Sequence, residues 1–285
     1  IPLVPRMLSA VRRSPGRRAP LADASPVAFA PLLKRLGAAR VTATACGLDV
    51  VHPSSPYQWL LRRGIPAVDR FLPISRATAE ALRERGVGEE RIAVCPCGIR
   101  PAEKPELRAT SEEIVLVGRL VPRKGAAWFL ARVWPGLRRR EGLRCRVVGD
   151  GPDRGVLRRL IRGDARVTLE TDADDARVRR AMEAAAVLVV PNVPVAGDME
   201  GFGIVCLEAA ERGTPVAAAQ LEGLADAVIP GETGAFFHAL DAEGCERAVL
   251  GLLDAPLARE RVRAAVLPAF GWDALLDRYR HALDA

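Results

Sequence analysis

From Val41 onward the chain repeats one pattern, a short valine-rich apolar run followed by a longer stretch whose apolar residues recur at helical spacing. This alternation constrains the fold more than any other feature. A buried strand followed by a helix that packs back on it returns the chain to the same sheet as a parallel neighbour, so the predicted class is α/β. The predicted strands are Arg40 to Ala45, Arg70 to Ile74, Ile92 to Cys95, Ile114 to Val117, Cys145 to Val148, Val167 to Glu170, Val187 to Val190 and Val216 to Ala219. Ser75 stands before a helical stretch, Ala77 to Arg85, where its hydroxyl can accept from a free first-turn amide.

A chain of 285 residues has room for one large α/β domain or two ordinary ones. Gly98 to Ser111 carries Pro101 and Pro105 with alternating charges and no periodicity, so it reads as a linker. The expected division is a partial N-terminal lobe over 1–110, a second lobe over 111–268, and a C-terminal segment over 269–285 holding one last amphipathic helix, Trp272 to Leu283.

Apolar residues at 49% and charged residues at 27% set disorder aside, and the apolar run from Ala184 is cut by Pro191 too soon to span a membrane. The net charge is +7, and Arg6, Arg12, Arg13, Arg17 and Arg18 all precede the first acid, Asp23. They read as a basic N-terminal tail with a solvated arginine face, or as a surface for peripheral contact with an anionic membrane or a phosphorylated acceptor. Nucleic acid is not expected as a partner, since only 5% of residues are aromatic and none interleave with basic stretches. Cys46, Cys95, Cys97, Cys145, Cys206 and Cys245 have no C-x-x-C spacing and read as buried free thiols, which with the lack of a secretory signal implies a cytoplasmic protein.

Ligands of parallel sheets bind at the carboxyl ends of strands, so the loops there are where chemistry is expected. The strand at Ile114 runs into Gly118-Arg119-Leu120-Val121-Pro122-Arg123-Lys124-Gly125, where Arg119 and Lys124 offer a forked and a movable cation to a diphosphate. The next such loop, Val147-Val148-Gly149-Asp150-Gly151-Pro152, is a tight turn whose glycines admit close backbone approach by a neighbour or a ligand. In Met199 to Val216 a glycine-flexed loop enters a helix that ends at Gly213. Glu200 lies in the loop, Glu208 about two turns into the helix, and Phe202, Gly203 and Ile204 between them supply first-turn amides. Carboxylates take sugar diols and amides face anions, so this segment suits a polyhydroxyl and a phosphate together.

The order GRLVPRKG, VVGDGP, EGFGIVCLEAAERGTPVAAA and GLADAVIPGETG, over roughly residues 112 to 236, resembles the C-terminal domain of the retaining glycosyltransferases of family 4 (glycosyl transferases group 1) with the GT-B fold. The resemblance implies two Rossmann-like parallel-sheet lobes facing a cleft, and a metal-independent, configuration-retaining transfer from a nucleoside-diphosphate-sugar, UDP-linked by expectation, to an acceptor hydroxyl. The acceptor would be a glycan, a lipid-linked sugar or a small molecule. No cofactor or metal is implied. Arg119 and Lys124, beside Gly118, would hold the diphosphate; Glu208 would take the ribose hydroxyls and Glu200 a donor-sugar hydroxyl. Amides around Phe202, Gly203, Ile204 and Val205 would contact sugar and phosphate, Leu169 would wall the base, and the last helix would cross back to the first lobe.

Upstream, GLDVVHPSSPYQWLLRRG, FLPISRATAEALRERGV and RIAVCPCGI resemble the last third of the family's N-terminal lobe. Nothing before Pro20 matches its opening strand and glycine-rich loop, so the lobe is expected to be incomplete. Cys46-Gly47 stands where the family carries His-Gly, and His52 lies six residues on. The alternative reading is therefore a nucleotide-sugar binding module that has lost transfer. Asp172, Asp174 and Asp175 mimic an Asp-x-Asp metal clamp, but they precede a helix near Ala176, whose free amides they are expected to cap.

Overall fold

The computed structural model describes residues 3–101 and 112–284, so residues 102–111 of the expected linker, and the boundary near 110, lie outside the described residues. The chain forms two compact units. The first comprises Ile1–Cys97, Ala196–Phe202 and Leu275–Ala285, the second Gly98–Val195 and Gly203–Ala274.

In the first unit three parallel strands, β1 (Arg18–Leu21), β2 (Arg40–Ala45) and β3 (Arg70–Pro73), lie in that order. Val41, Ala43, Ala45 and Phe71 are fully buried among Val27, Leu61 and Leu82. Strand β1 escapes the sequence reading because Arg-Ala-Pro-Leu is short and contains proline. An edge strand tolerates Pro20, which has no amide to donate. The expected strand at Ile92 to Cys95 is corrected to an extended segment. Its Ala93 and Cys95 amides donate to Phe71 and Pro73 of β3, and only an isolated bridge, Phe71 to Ile92, forms. The basic N-terminal stretch is not a loose tail either: Leu3–Arg13 is a helix that buries Val11 and leaves Arg6, Arg12 and Arg13 exposed. Ser75 accepts from Thr78 N at 3.1 Å and caps the Arg76–Arg83 helix.

The second unit is a six-stranded parallel sheet ordered β6, β5, β4, β7, β8, β9. Its strands are β4 (Glu113–Val117), β5 (Arg144–Val148), β6 (Val167–Glu170), β7 (Val187–Val190), β8 (Val216–Ala219) and β9 (Gly234–Phe237). Every residue of β7 and β8 is buried, as expected for strands covered on both faces. Strand β9, Gly-Ala-Phe-Phe, was not expected; it lies at the sheet edge and opens on a glycine. The chain winds outward from β4 through β5 to β6, then returns beside β4 and winds the other way from β7, so the strand order reverses between β4 and β7. Open sheets bind ligands at such a switch point.

The last helix is Trp272–Asp284. Its first residues belong to the second unit, where the ring of Trp272 covers Gly98 and its amide donates to Ile99 O at 3.2 Å. From Leu275 it belongs to the first, where Tyr279 Oη donates to the carbonyls of Cys95 and Pro96 at 2.9 Å. Among the described residues, no helix is long and apolar enough to cross a membrane.

Two loops at the carboxyl ends of β4 and β5 interlock without side chains. Gly149 has φ +146°, and a Cβ there would lie 1.9 Å from the carbonyl oxygen of Gly118. Leu120 N donates to Asp150 O at 2.8 Å, and Asp153 N to Leu120 O at 2.9 Å. Gly149→Ala is expected to cost about 2 to 4 kcal/mol in urea unfolding. Gly251→Ala, in the Ala242–Asp254 helix with nothing within 4 Å of the added carbon, should leave stability unchanged or raise it by up to about 1 kcal/mol.

Candidate functional site

At the switch point of the second unit a small depression is lined by Gly118, Arg119 and Lys124 from the loop after β4, Val148 at the end of β5, and Pro191 and Asn192 after β7. The loop is shaped by backbone on both sides. Gly151 leaves room for Leu120 as Gly149 does for Gly118. Gly125, in the left-handed region at φ +70°, lets the Pro191 carbonyl approach where a Cβ would stand 1.8 Å away. Val193 N donates to Arg123 O at 2.9 Å, which ties the loop to the chain after β7. Arg123 is itself buried, so of the loop's three cations the exposed Arg119 and the half-buried Lys124 face the depression. The end of the Lys124 side chain lies over Gly118, with Cε 3.8 Å from where a Cβ would be.

The helix that carries Glu208 is Ile204–Glu211, opened by Gly203 at φ +85° and ψ +51° without a side-chain cap. Glu208 is its fifth residue, so it lies just over one turn in and not two. It is half-buried, and its carbonyl accepts from Arg212 Nη1 at 2.7 Å. Gly213, at φ +76°, closes the helix with its amide on Ala210 O. Gly203, Ile204, Val205 and Glu208 are in the second unit but do not line the depression, nor does Leu169, which is half-buried on β6, two strands from β4.

Glu200 and Phe202 belong by their contacts to the first unit. Both are buried, Glu200 at 8% exposure. The segment abuts Cys46-Gly47 at the end of β2: a Cβ on Gly201 would stand 1.9 Å from Cys46 O, and one on Gly47 2.8 Å from Gly201 Cα. Cys46 is exposed, contrary to the expectation of buried thiols, which Cys95, Cys145, Cys206 and Cys245 meet. Desolvation by the surrounding protein, with the charge of Asp49 next, pushes its pKa up to about 12. His52 is exposed; its Nδ1 accepts from Ser54 N at 3.3 Å, and its ring meets Tyr57 edge-on with centroids 5.3 Å apart.

The family model described as glycosyl transferases group 1 matches residues 111–255, about half of the chain. The chain is 32% identical over 279 residues to the GDP-mannose-dependent alpha-(1-6)-phosphatidylinositol monomannoside mannosyltransferase of Mycolicibacterium smegmatis, covering 90% of this chain and 71% of that protein. This chain belongs to the glycosyl transferases group 1 family. It is also 31% identical to the D-inositol 3-phosphate glycosyltransferase of Segniliparus rotundus over 256 residues, 80% of this chain and 56% of that protein. Among solved structures, Anabaena HepE in complex with UDP matches 99% of this chain and 82% of its own with a TM-score of 0.80 at 16% identity. Sucrose-phosphate synthase from Thermosynechococcus elongatus matches 99% and 77% with a TM-score of 0.76 at 23% identity. These likenesses are of fold, and the architecture is GT-B, built of Rossmann-like parallel-sheet units.

Asn192 is a lining residue of this group 1 chain that the sequence reading passed over. It is 1% exposed and lies directly after Pro191 at the end of β7. The signal was available in the rule that strand ends at a switch point carry ligands, but which strand adjoins β4 is set by sheet order. Among the rival carboxylates, Asp174 is a helix cap: its side chain accepts from Arg177 N at 2.7 Å at the start of Asp175–Ala184. Asp174→Ala should cost about 1 kcal/mol of stability and leave nucleotide affinity unchanged. Loss of nucleotide binding that returns with added divalent metal would instead make it a clamp.

Proposed function

We propose that this chain transfers a sugar from a nucleoside-diphosphate-sugar to an acceptor hydroxyl, without a metal and with retention of configuration. The observation that carries the reading is the pairing of Arg119 and Lys124 with the backbone of Gly118 in one depression at the switch point of the second unit's sheet. A diphosphate seated there meets one forked and one flexible cation. Their field neutralises the negative charge that grows on the leaving diphosphate as the glycosidic bond breaks. With the diphosphate served by side chains, no divalent ion is required for that step.

In this scheme Glu208 accepts from the ribose hydroxyls, Glu200 from a hydroxyl of the transferred sugar, and the amides of Phe202 to Val205 meet sugar and phosphate. Leu169 walls the base. The acceptor oxygen attacks on the face that the diphosphate leaves, which gives retention. UDP is the nucleotide we put first. GDP is its competitor, because one relative is GDP-mannose-dependent while the HepE structure is a complex with UDP. The acceptor is a glycan, a lipid-linked sugar or a small hydroxyl compound, and the exposed arginines of Leu3–Arg13 are suited to an anionic membrane face.

A thermal-shift panel of UDP, GDP, ADP and their sugars in EDTA tests the donor site. Ligand at about 100 times its dissociation constant adds about 2.7 kcal/mol, a shift of several degrees. Lys124→Ala and Glu208→Ala should each weaken the responding nucleotide about 10- to 100-fold, the effect of losing a hydrogen bond to a charged group. No shift with any nucleotide would sink the proposal.

A second reading, binding without transfer, is favoured by Cys46. A thiol whose pKa is pushed up to about 12 stays neutral near pH 7, where an imidazole would exchange protons and bond more strongly. Transfer detected only in Cys46→His would select this reading; transfer by the unaltered chain would select the first.

A further inference from the structure

Beyond these roles, we propose that Asp49 is a positioning residue, fixing the Cys46-Gly47 turn and through it the segment that carries Glu200; this rests on the donor-sugar role given to Glu200 above. Asp49 lies in the short helix Leu48–Val51 just after β2. Its Oδ2 accepts from Ala24 N at 2.7 Å, and Cys46 N donates to Oδ1 at 2.8 Å and to Oδ2 at 3.0 Å. Ala24 follows β1 and Cys46 follows β2, which are adjacent and parallel, so one carboxylate ties together two loops at the same end of the sheet. The carbonyl of Asp49 is held in turn by the Tyr57 hydroxyl.

The turn that Asp49 holds packs closely against the Glu200 segment. Gly47 has φ +104° and ψ −83°, a conformation open to glycine, and its carbonyl accepts from Val50 N at 2.8 Å. Backbone meets backbone between Cys46-Gly47 and Gly201, with the side chains of Met199 and Ile74 packed beside the contact. Glu200 is the next residue. Burial raises the pKa of Asp49, while the amides of Ala24 and Cys46 oppose that rise by bonding to the charged form.

Asparagine is a poor replacement for this carboxylate. With its oxygen in the Oδ2 place it still accepts from Ala24 N and Cys46 N, but its NH₂ then stands where Oδ1 accepts from Cys46 N at 2.8 Å, donor against donor. Removing the charge also relieves the suppression of Cys46 ionisation to which Asp49 contributes.

The test compares the unaltered chain with Asp49→Asn and Asp49→Glu. Iodoacetamide labelling is read site by site by mass spectrometry, and donor turnover is split into kcat and KM. Asp49→Asn is expected to speed labelling of Cys46 several-fold, because the nearby charge that disfavours the thiolate is gone and the turn is no longer tied, with Cys97 unchanged as the internal reference. Turnover should fall about tenfold in kcat, with donor KM within about twofold. Asp49→Glu keeps the charge and both oxygens and should return labelling and kcat part of the way to the values of the unaltered chain. Cys95, buried in the same unit, must stay protected; if Asp49→Asn exposes it, the Glu variant carries the comparison. Unchanged labelling of Cys46 together with unchanged kcat overturns the proposal. If the unaltered chain turns over no donor, the transfer reading fails by itself, and labelling of Cys46 alone decides whether Asp49 holds the turn.

Discussion

The carbonyl of Gly118 occupies the space where a side chain on residue 149 would stand, and the placing of the loop that follows β4 depends on that contact. Strands β4 and β5 pair in register from Glu113 with Arg144 to Val117 with Val148, so their loops emerge side by side. Two glycines then allow the loops to touch through backbone alone, and hydrogen bonds between Leu120, Asp150 and Asp153 lock them. Arg119 and Lys124 take their places from this lock. Long cations on an untied loop would sample many directions, and the entropy of fixing them would offset much of what they gain from an anion.

The first unit uses the same device at a different place. Gly47 and Gly201 bring two chain segments into backbone contact, and the Asp49 carboxylate determines where one of them lies. The Ala196–Phe202 segment, far along the chain, is thereby built into the unit that holds β1 to β3. Glu200 and Glu208, with seven residues between them in the chain, are fixed by different sets of neighbours: the β2 loop for one, the Ile204–Glu211 helix for the other.

Much of this was legible in the residues. Seven of the eight expected strands are present, because runs such as Val187–Val190 have no polar residue to place at a surface. The Ser75 and Asp174 caps were legible for the same kind of reason, since capping depends on atoms three residues away in sequence. The misreadings lie where a partner decides the state. β1 and β9 are edge strands whose proline and glycine argue against them, and each exists by pairing with β2 and β8 respectively. Ile92 to Cys95 has the composition of a strand but donates to β3 without completing a ladder.

Taken alone, the sequence determined the alternating α/β class, the cations at the end of β4, the glycines that allow tight approach, and the carboxylates at 200 and 208, because each is set by residue type and near neighbours. Tertiary structure alone decided that β7 lies beside β4, which brings Asn192 into the depression with Arg119 and Lys124. It also decided that Gly149 and Gly151 serve a neighbouring loop, and that Asp49, unremarkable in sequence, bridges Ala24 and Cys46. The physical reason is common to all three: strand order and loop contact are pairings between residues distant in the chain, and a local pattern does not encode which partner a backbone amide or carbonyl will meet.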